Sequence, residues 1–348
     1  MRKWNLMFLL PALAILSCSE DSVTELEETE QQLTGKEEIT ANVEVAYPED
    51  FGLVSEVYYA GRKMAVEEID GDFVYQGDII FSADMLTSQD VKLVYEKGEE
   101  PSQQKSVGRT SRRWTNNTVY FAVDNNLPDK NRVYDAIKHW QSNTSLNFVE
   151  TSGQSNYIYF TPGSGCSSYV GMVGGRQNIT LATACSKGNA IHEIGHAIGL
   201  WHEQSRVDRD RHIKINFSNI QSGREHNFRT YEESGLDGQE FTSNLDFGSI
   251  MMYGPYSFSS NGSPTIVKAD GSLYSTQRTA LSSGDKTGIN AMYTSGSTTT
   301  PTYINGEYYV ISGLTVLRNN NSWWFYSRTY SMWREVELRS NNRWYYVR

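Results

Sequence analysis

The side chains most able to do chemistry are gathered in one stretch, His192-Glu193-Ile194-Gly195-His196-Ala197-Ile198-Gly199-Leu200-Trp201-His202-Glu203. His192 and His196 are four residues apart, so on a helix they share a face one turn apart and can hold one ion. Glu193 sits beside the first of them, where a carboxylate can take a proton from water at the metal. A catalytic zinc keeps three protein ligands and one open position. Gly199 tolerates the positive-φ conformation that ends a helix and turns the chain back, which would bring His202 round as the third ligand. Imidazoles with a neighbouring carboxylate suit zinc and hydrolysis better than redox work, although spacing alone leaves other divalent metals open.

Such a cluster needs a rigid frame. Thr118–Val123 reads as a strand, and Pro128-Asp129 starts a helix whose apolar face is Val133, Ile137 and Trp140. Leu146–Glu150, Tyr157–Thr161 and Asn178–Ala182 read as further strands before the histidine-bearing helix. A sheet with two long helices, followed by an irregular half after Gly199, makes the fold α+β. Ahead of this frame, residues 41–100 alternate apolar and polar positions in short runs such as Asn42–Tyr47 and Val91–Tyr95, with turns at Gly61, Gly71 and Gly77. That pattern predicts a small β-type segment. Behind it, 294–302 is a Ser/Thr/Gly linker. The stretch Leu317-Arg318-Asn319-Asn320-Asn321-Ser322-Trp323-Trp324 returns as Leu338-Arg339-Ser340-Asn341-Asn342-Arg343-Trp344-Tyr345, and Asn305-Gly306-Glu307-Tyr308-Tyr309 is a degenerate third copy. These are strand–turn–strand units of an aromatic β module over 303–348. Its rings either stand out to stack on a carbohydrate or grip a surface ligand, or they form the module's own small core.

The 348 residues suffice for one large core plus accessory parts. The net charge of −10 is unevenly spread: 22 acidic against 5 basic residues over 19–104, and 19 against 24 over 105–348. An acidic front and a mildly basic remainder are expected to attract each other. Arg2 and Lys3 precede an apolar run from Trp4 to Leu16, the pattern of a secretion signal and too short for a spanning helix. Ile15-Leu16-Ser17-Cys18 resembles a bacterial lipoprotein signal in which Cys18 carries the lipid, and Ser19-Glu20-Asp21 resembles the acidic export run that follows it. Ordinary cleavage nearby without lipid is the alternative. The expectation is therefore a secreted protein or an outer-membrane or cell-surface lipoprotein of a Gram-negative bacterium, touching membrane only through a lipid anchor. Nothing in the chain resembles a nucleic-acid or nucleotide site.

With Gly199 and His202 the histidine motif extends to the metzincin pattern. Glu203, Arg206, Asp208, Arg209 and Asp210 directly after it resemble the astacin family of zinc endopeptidases. Asp246-Phe247-Gly248-Ser249-Ile250-Met251-Met252-Tyr253-Gly254 resembles the family's Met-turn, and the likeness covers about residues 113–293. It implies a two-lobed metzincin-like catalytic domain with one Zn2+ on His192, His196 and His202, and with Glu193 as general base. It implies Met251 packed beneath the ligands. It also implies that Tyr253 can bind zinc at rest and swing away to hold the oxyanion. Glu203 would meet the new N-terminus of a matured chain. Phe73-Val74-Tyr75-Gln76-Gly77-Asp78-Ile79 carries an aromatic-x-Gly-Asp motif whose aspartate, Asp78, would occupy the open zinc position in a zymogen. The neighbourhood of Cys166–Val170 is the expected edge for an extended peptide substrate. Assigning Cys18 to lipid leaves Cys166 and Cys185 as an even pair, and Gly165–Gly171 with Cys185 matches a disulfide loop of the family. Its closure would contribute roughly 3 kcal/mol on the chain-entropy model. Two departures stand out: Met252 replaces a usual histidine, and Ser145 replaces one end of a second disulfide whose other end is also missing.

The resulting organisation is a signal over 1–18, an acidic pro-segment over 19–108, a catalytic domain over 109–293, a linker and the aromatic module. The basic stretch 105–113, with Arg109, Arg112 and Arg113, is the expected place of maturation. Expected partners are protein or peptide substrates, and the pro-segment as intramolecular inhibitor. His139, His212 and His226 fall outside every motif and read as structural or surface residues. Two rivals are a non-catalytic surface adhesin that keeps the zinc site, and a zinc peptidase of another clan with a distant glutamate ligand.

Overall fold

In the computed structural model the described residues are 45–59, 62–87, 94–98, 113–294 except 237 and 239, 305–306, 308–311, 314–327, 330–339 and 344–347. The signal with Cys18, the positions Arg109 and Arg112, and the linker after 294 lie outside them. Five strands come first: β1 (Leu53–Tyr59), β2 (Arg62–Ile69), β3 (Asp72–Tyr75), β4 (Ile79–Phe81) and β5 (Leu86–Thr87). A sixth, β6 (Val94–Tyr95), leaves them. Then follow β7 (Thr118–Val123), α1 (Asn131–Asn143), β8 (Asn147–Glu150), β9 (Tyr157–Thr161), β10 (Cys166–Ser168), β11 (Arg176–Leu181) and α2 (Lys187–Ala197). The next part is irregular apart from β12 (Ile213–Ile215), β13 (Ile266–Lys268) and α3 (Ser283–Thr294). The C-terminal sheet consists of β14 (Tyr308–Ile311), β15 (Leu314–Asn319), β16 (Ser322–Ser327), β17 (Met332–Leu338) and β18 (Trp344–Tyr346).

The expected α+β class holds, with two features that periodicity did not show. One sheet of ten strands, ordered β5-β1-β2-β3-β4-β10-β11-β9-β7-β8, joins the front segment to the central frame. The seam is the parallel bridge between Ile79 of β4 and Ser168 of β10. There is also a third helix, α3, whose Ile289 and Tyr293 enter the central core. The first helix begins at Asn131 rather than at Pro128, because Asp129 adopts φ 46° and cannot belong to a right-handed turn. Val45–Tyr47 is not a strand, although alternation there suggested one.

The core forms where strand alternation meets helix periodicity. Val119 and Phe121 of β7, Ile158 and Phe160 of β9, and Ile179 and Leu181 of β11 point to one side of the sheet. Against them lie Val133, Ala136, Ile137 and Trp140 of α1, and Ala190, Ile191 and Ile194 of α2. Burying each larger side chain contributes about 1.5–3 kcal/mol. The Trp140 indole N–H donates to the Ile191 carbonyl at 3.1 Å, fixing α1 against α2. The same face of α1 buries a charge. Arg132 is 4% exposed and donates to the carbonyls of Ala182 (2.7 Å), Leu181 (3.2 Å), Thr183 (3.3 Å) and Cys185. It ties α1 to the loop that launches α2. The Cys166–Cys185 disulfide closes the same loop onto β10, with Cα atoms 6.2 Å apart.

In the C-terminal sheet, Asn320 and Asn321 at φ 49° and 60° make the two-residue turn between paired Asn319 and Ser322. Positive φ at both positions is what a type I′ hairpin needs, and Asn tolerates it. The counterpart turn at 341–342 lies outside the described residues. The module's aromatics divide by burial: Trp344 and Tyr346 are core, whereas Tyr326, Tyr330 and Trp333 are exposed.

Arg132 carries the testable consequence of this packing. Arg132→Met keeps the side chain's apolar bulk and removes charge-assisted bonds to buried carbonyls, which are left without donors. The expected loss is about 3 kcal/mol of unfolding free energy, measured by denaturant unfolding of the parent and the variant.

Candidate metal centre

The helix carrying the first two histidines starts cleanly. Ser186 Oγ accepts the Asn189 N–H at 3.2 Å, and Asn189 Oδ1 accepts the Ser186 N–H at 2.8 Å, a reciprocal cap. It ends at Ala197, and two residues later Gly199 takes a φ of 114°, which is open to glycine and strained for other residues. The chain then doubles back, and His202 arrives beside the other two: ring centroids lie 4.8 Å apart for His192 and His196, 4.7 Å for His196 and His202, and 5.3 Å for His192 and His202. All three are buried, as is Glu193 at 1% exposure.

Each imidazole is held by its far nitrogen. Nδ1 of His192 lies 2.7 Å from the Ile250 carbonyl, Nδ1 of His196 2.8 Å from the Leu200 carbonyl, and Nδ1 of His202 3.0 Å from Gln76 Oε1. All three partners are oxygen acceptors, so each Nδ1 must be the protonated nitrogen. Each Nε2 therefore keeps its lone pair. Burial pushes the His192 pKa down to about 3 and lowers that of His202 as well, keeping these rings neutral.

Asp78 stands where the three lone pairs meet. Its Oδ2 is 3.2 Å from His192 Nε2 and 3.0 Å from His202 Nε2, and its Oδ1 is 3.6 Å from His196 Nε2. Asp78 is 3% exposed, and both its Oδ1 and His196 Nε2 are buried without a hydrogen-bond partner. Four ligand atoms from these residues lie within 4.8 Å of one another. Zinc bound at about 2.0–2.1 Å separates tetrahedral donors by about 3.3 Å, close to these spacings. Three imidazoles with their Nε2 atoms turned to one point and one carboxylate, with two orphaned polar atoms facing each other, fit a single zinc ion.

The carboxylate reaches the site on the tip of a hairpin. Tyr75 pairs with Ile79, leaving Gln76-Gly77-Asp78 as a three-residue loop. Gln76 and Gly77 have φ of 48° and 79°. A Cβ on Gly77 would come 2.9 Å from Phe258 Cζ, so this position needs glycine for space as well as for conformation. Gln76 itself makes three contacts there. Its Oε1 receives His202 Nδ1, its Nε2 donates to the Arg229 carbonyl at 3.2 Å, and its own carbonyl accepts the Tyr253 hydroxyl at 2.5 Å. Nothing in its residue type signalled this role in the sequence. Behind the tip, Glu67 of β2 is 2% exposed and paired with Arg224.

Below the ligands, the turn at Ser249–Met251 is clamped by Asp285. Its Oδ1 accepts the Ser249 hydroxyl at 2.6 Å, and its Oδ2 accepts the Ile250 N–H at 3.0 Å. Ile250 is the residue whose carbonyl orients His192, so Asp285 supports a ligand through one peptide unit. Sequence reading placed Asp285 within the likeness but gave it no part. Met251 packs under α2 so closely that a Cβ on Gly195 would lie 2.7 Å from its sulfur. Met252 is fully buried in the second lobe's core with Ile213, Phe228 and Ile266, which suits methionine better than a histidine. Glu203 accepts the Asp246 N–H at 2.8 Å and lies 3.6 Å from the Arg206 guanidinium. Burial raises its pKa to about 7 despite both contacts. His226 is buried and hydrogen-bonded to the Gly223 carbonyl, and His139 accepts the Leu281 N–H; neither joins the cluster.

The geometry agrees with the comparisons. The sequence model described as Astacin (Peptidase family M12A) matches residues 106–294. Protein SpAN of Strongylocentrotus purpuratus is 37% identical over 231 residues, which are 63% of this chain and 37% of that one. Zinc metalloproteinase nas-13 of Caenorhabditis elegans is 33% identical over 229 residues, covering 63% and 50%. Among solved structures, high choriolytic enzyme 1, a hatching enzyme zinc-protease from Oryzias latipes (Medaka fish), shows 27% identity and a TM-score of 0.48, covering 52% of this chain and 92% of that one. The chain thus spans half or less of the length of these two curated relatives. The family's model covers more than half of the chain and contains all three histidines, Glu193 and the turn beneath them: the chain belongs to the astacin family.

Proposed function

We propose that this chain is a zinc-dependent endopeptidase made in latent form. The observation that carries the reading is the meeting of three lone-pair-bearing Nε2 atoms on one carboxylate from the front segment. Bound zinc would supply charge that polarises a scissile carbonyl and acidifies water. His192, His196 and His202 hold that ion. Glu193, buried beside the first ligand on α2, receives the proton of the attacking water and returns it to the leaving amide nitrogen. The Tyr253 phenol, released from the Gln76 carbonyl, donates to the oxyanion.

Latency follows from the same hairpin. Asp78 fills the position a substrate needs, Gln76 occupies the Tyr253 hydroxyl, and the Asp78 carbonyl accepts the Ser168 N–H of β10 at 2.9 Å. One tip thereby blocks the ligand position, the oxyanion donor and the edge strand. Cleavage within 105–113 would be the first step toward freeing the enzyme, completed when the front segment leaves. The buried carboxyl of Glu203 supports a role as acceptor of the new terminal ammonium, whose charge would favour its ionised form. The leading apolar run and Ile15-Leu16-Ser17-Cys18 support export, with Cys18 as the lipid site of a cell-surface protein. Among the described residues no helix is long and apolar enough to cross a membrane. The exposed Tyr326, Tyr330 and Trp333 leave carbohydrate as a ligand class for the C-terminal module.

Glu193→Gln is expected to keep about one zinc per chain, measured by metal analysis of the purified protein, and to lower casein hydrolysis of the processed enzyme by at least about a thousandfold. Loss of metal together with activity would make Glu193 structural and remove it from the mechanism. Asp78→Ala is expected to give peptidase activity in uncleaved chain, followed with a quenched fluorescent peptide and with the intact mass checked in the same sample. An uncleaved variant as silent as its parent would sink the latency reading.

A further inference from the structure

The sixth strand does not stay with the front segment. Val94–Tyr95 pairs in parallel with β18, Val94 opposite Trp344 and Tyr95 opposite Tyr345, as the last member of the sheet β14-β15-β16-β17-β18-β6. Val94 is 4% exposed and belongs to the module's core, with Leu314, Val316, Val336, Trp344 and Tyr346. The Tyr95 ring lies 5.7 Å from that of Tyr345. Glu96 then meets Arg334, with Nη1 2.8 Å from Oε1 and Nη2 3.3 Å from Oε2, and also accepts the Tyr330 hydroxyl at 3.3 Å. The guanidinium is held in place by rings, 3.7 Å from the centre of Tyr346 and 4.8 Å from that of Tyr330. Without β6, β18 would be a sheet edge with open backbone groups beside a ready-made cationic cradle.

We infer that the C-terminal module is a strand-accepting peptide site. It takes an extended apolar–aromatic–acidic sequence, and pro-segment residues Val94-Tyr95-Glu96 are its resident ligand. The charge balance of the sequence agrees: residues 303–348 carry six arginines against three glutamates, and residues 19–104 carry 22 acids against 5 bases. The pro-segment is therefore anchored twice, by Asp78 at the metal centre and by β6 on the module. The module's core is complete only while the pro-segment stays. Once the chain is cut between 99 and 112, the module retains the severed pro-segment. This part rests on the latency reading above.

The test uses the full chain with a recognition site for a specific protease placed within 99–112. After cutting, the rate at which the pro-segment leaves is followed by gel filtration of timed samples. Glu96→Arg and Arg334→Glu are each expected to speed release about fivefold, and Val94→Asp more than tenfold. The double variant Glu96→Arg with Arg334→Glu should return to within twofold of the parent, a rescue that general damage to the module would not give. Single-variant rates within twofold of the parent, or a double variant that stays fast, would overturn the inference. Peptidase activity before cutting, read in the same samples, reports on Asp78 separately: a chain active while uncut defeats latency and leaves the release rates to judge the strand site alone.

Discussion

Everything at the metal centre depends on three hydrogen bonds that lie on the side of the imidazoles away from the metal. A histidine can bind through either nitrogen, and a cluster of free rings would sample many arrangements. Here the Ile250 carbonyl, the Leu200 carbonyl and Gln76 Oε1 each take up an Nδ1, and this directs all three Nε2 lone pairs to one point. Two of these acceptors are backbone oxygens whose places are fixed by the fold, one after the turn at Gly199 and one in the turn clamped by Asp285. The third, Gln76 Oε1, comes from the front segment. On the latency reading proposed above, its departure would leave the third histidine with a different outer partner, so a freed enzyme would differ from the latent chain in ligand support as well as in the fourth position.

The divide between what sequence reading reached and what it missed follows the range of the interactions. His192, His196, Glu193 and the end of α2 were legible because helical spacing and a glycine stop are local rules. The strands Thr118–Val123 and Tyr157–Thr161 were placed to the residue, since alternation there is undisturbed by neighbours. Arg132, Asp285 and Gln76 were not legible. A buried arginine on an otherwise apolar helix face reads as an exposed one, and its justification lies about fifty residues away in the carbonyls before α2. Asp285 serves a turn more than thirty residues earlier, and Gln76 serves a histidine 126 residues later. Resemblance supplied Asp78, where local reading of Gly77-Asp78 gives only a turn. It could not supply Gln76, which has no distinctive chemistry until the hairpin is folded into the cleft.

The front segment also shows why boundaries drawn from composition need not be boundaries of structure. Its acidic character marks it off in sequence, yet five of its strands extend the central sheet and the sixth extends the C-terminal one. The seam at β10 is a single parallel bridge and contributes little by itself. Most of the hold comes from buried groups on either side of it. Tyr75, Ile79 and Phe81 share a core with Trp201, Tyr231 and Leu236, and the Tyr75 hydroxyl donates to Ser234 at 2.9 Å. In the Glu67–Arg224 pair, Glu67 would be left as a lone buried charge if Arg224 moved away.

Cutting one peptide bond between 99 and 112 touches none of these contacts. What it changes is effective concentration. Joined to the catalytic frame, the hairpin tip reforms its contacts as an intramolecular event, and any opening closes again at once. Severed, it is held only by its non-covalent contacts, and once all of these have opened it must return from solution, at concentrations far below the millimolar values a short tether provides. On the proposed reading, the persistence of latency after the cut would then be set by the slowest-opening set of contacts. If the β10 edge takes substrate as proposed, a substrate could bind there only after the whole tip had left, because Asp78 contributes the carboxylate at the metal centre and the carbonyl on that edge through the same residue. Opening at the edge and opening at the metal would therefore be one step, and on the proposed reading a chain with its front segment partly withdrawn would have no reason to be partly active.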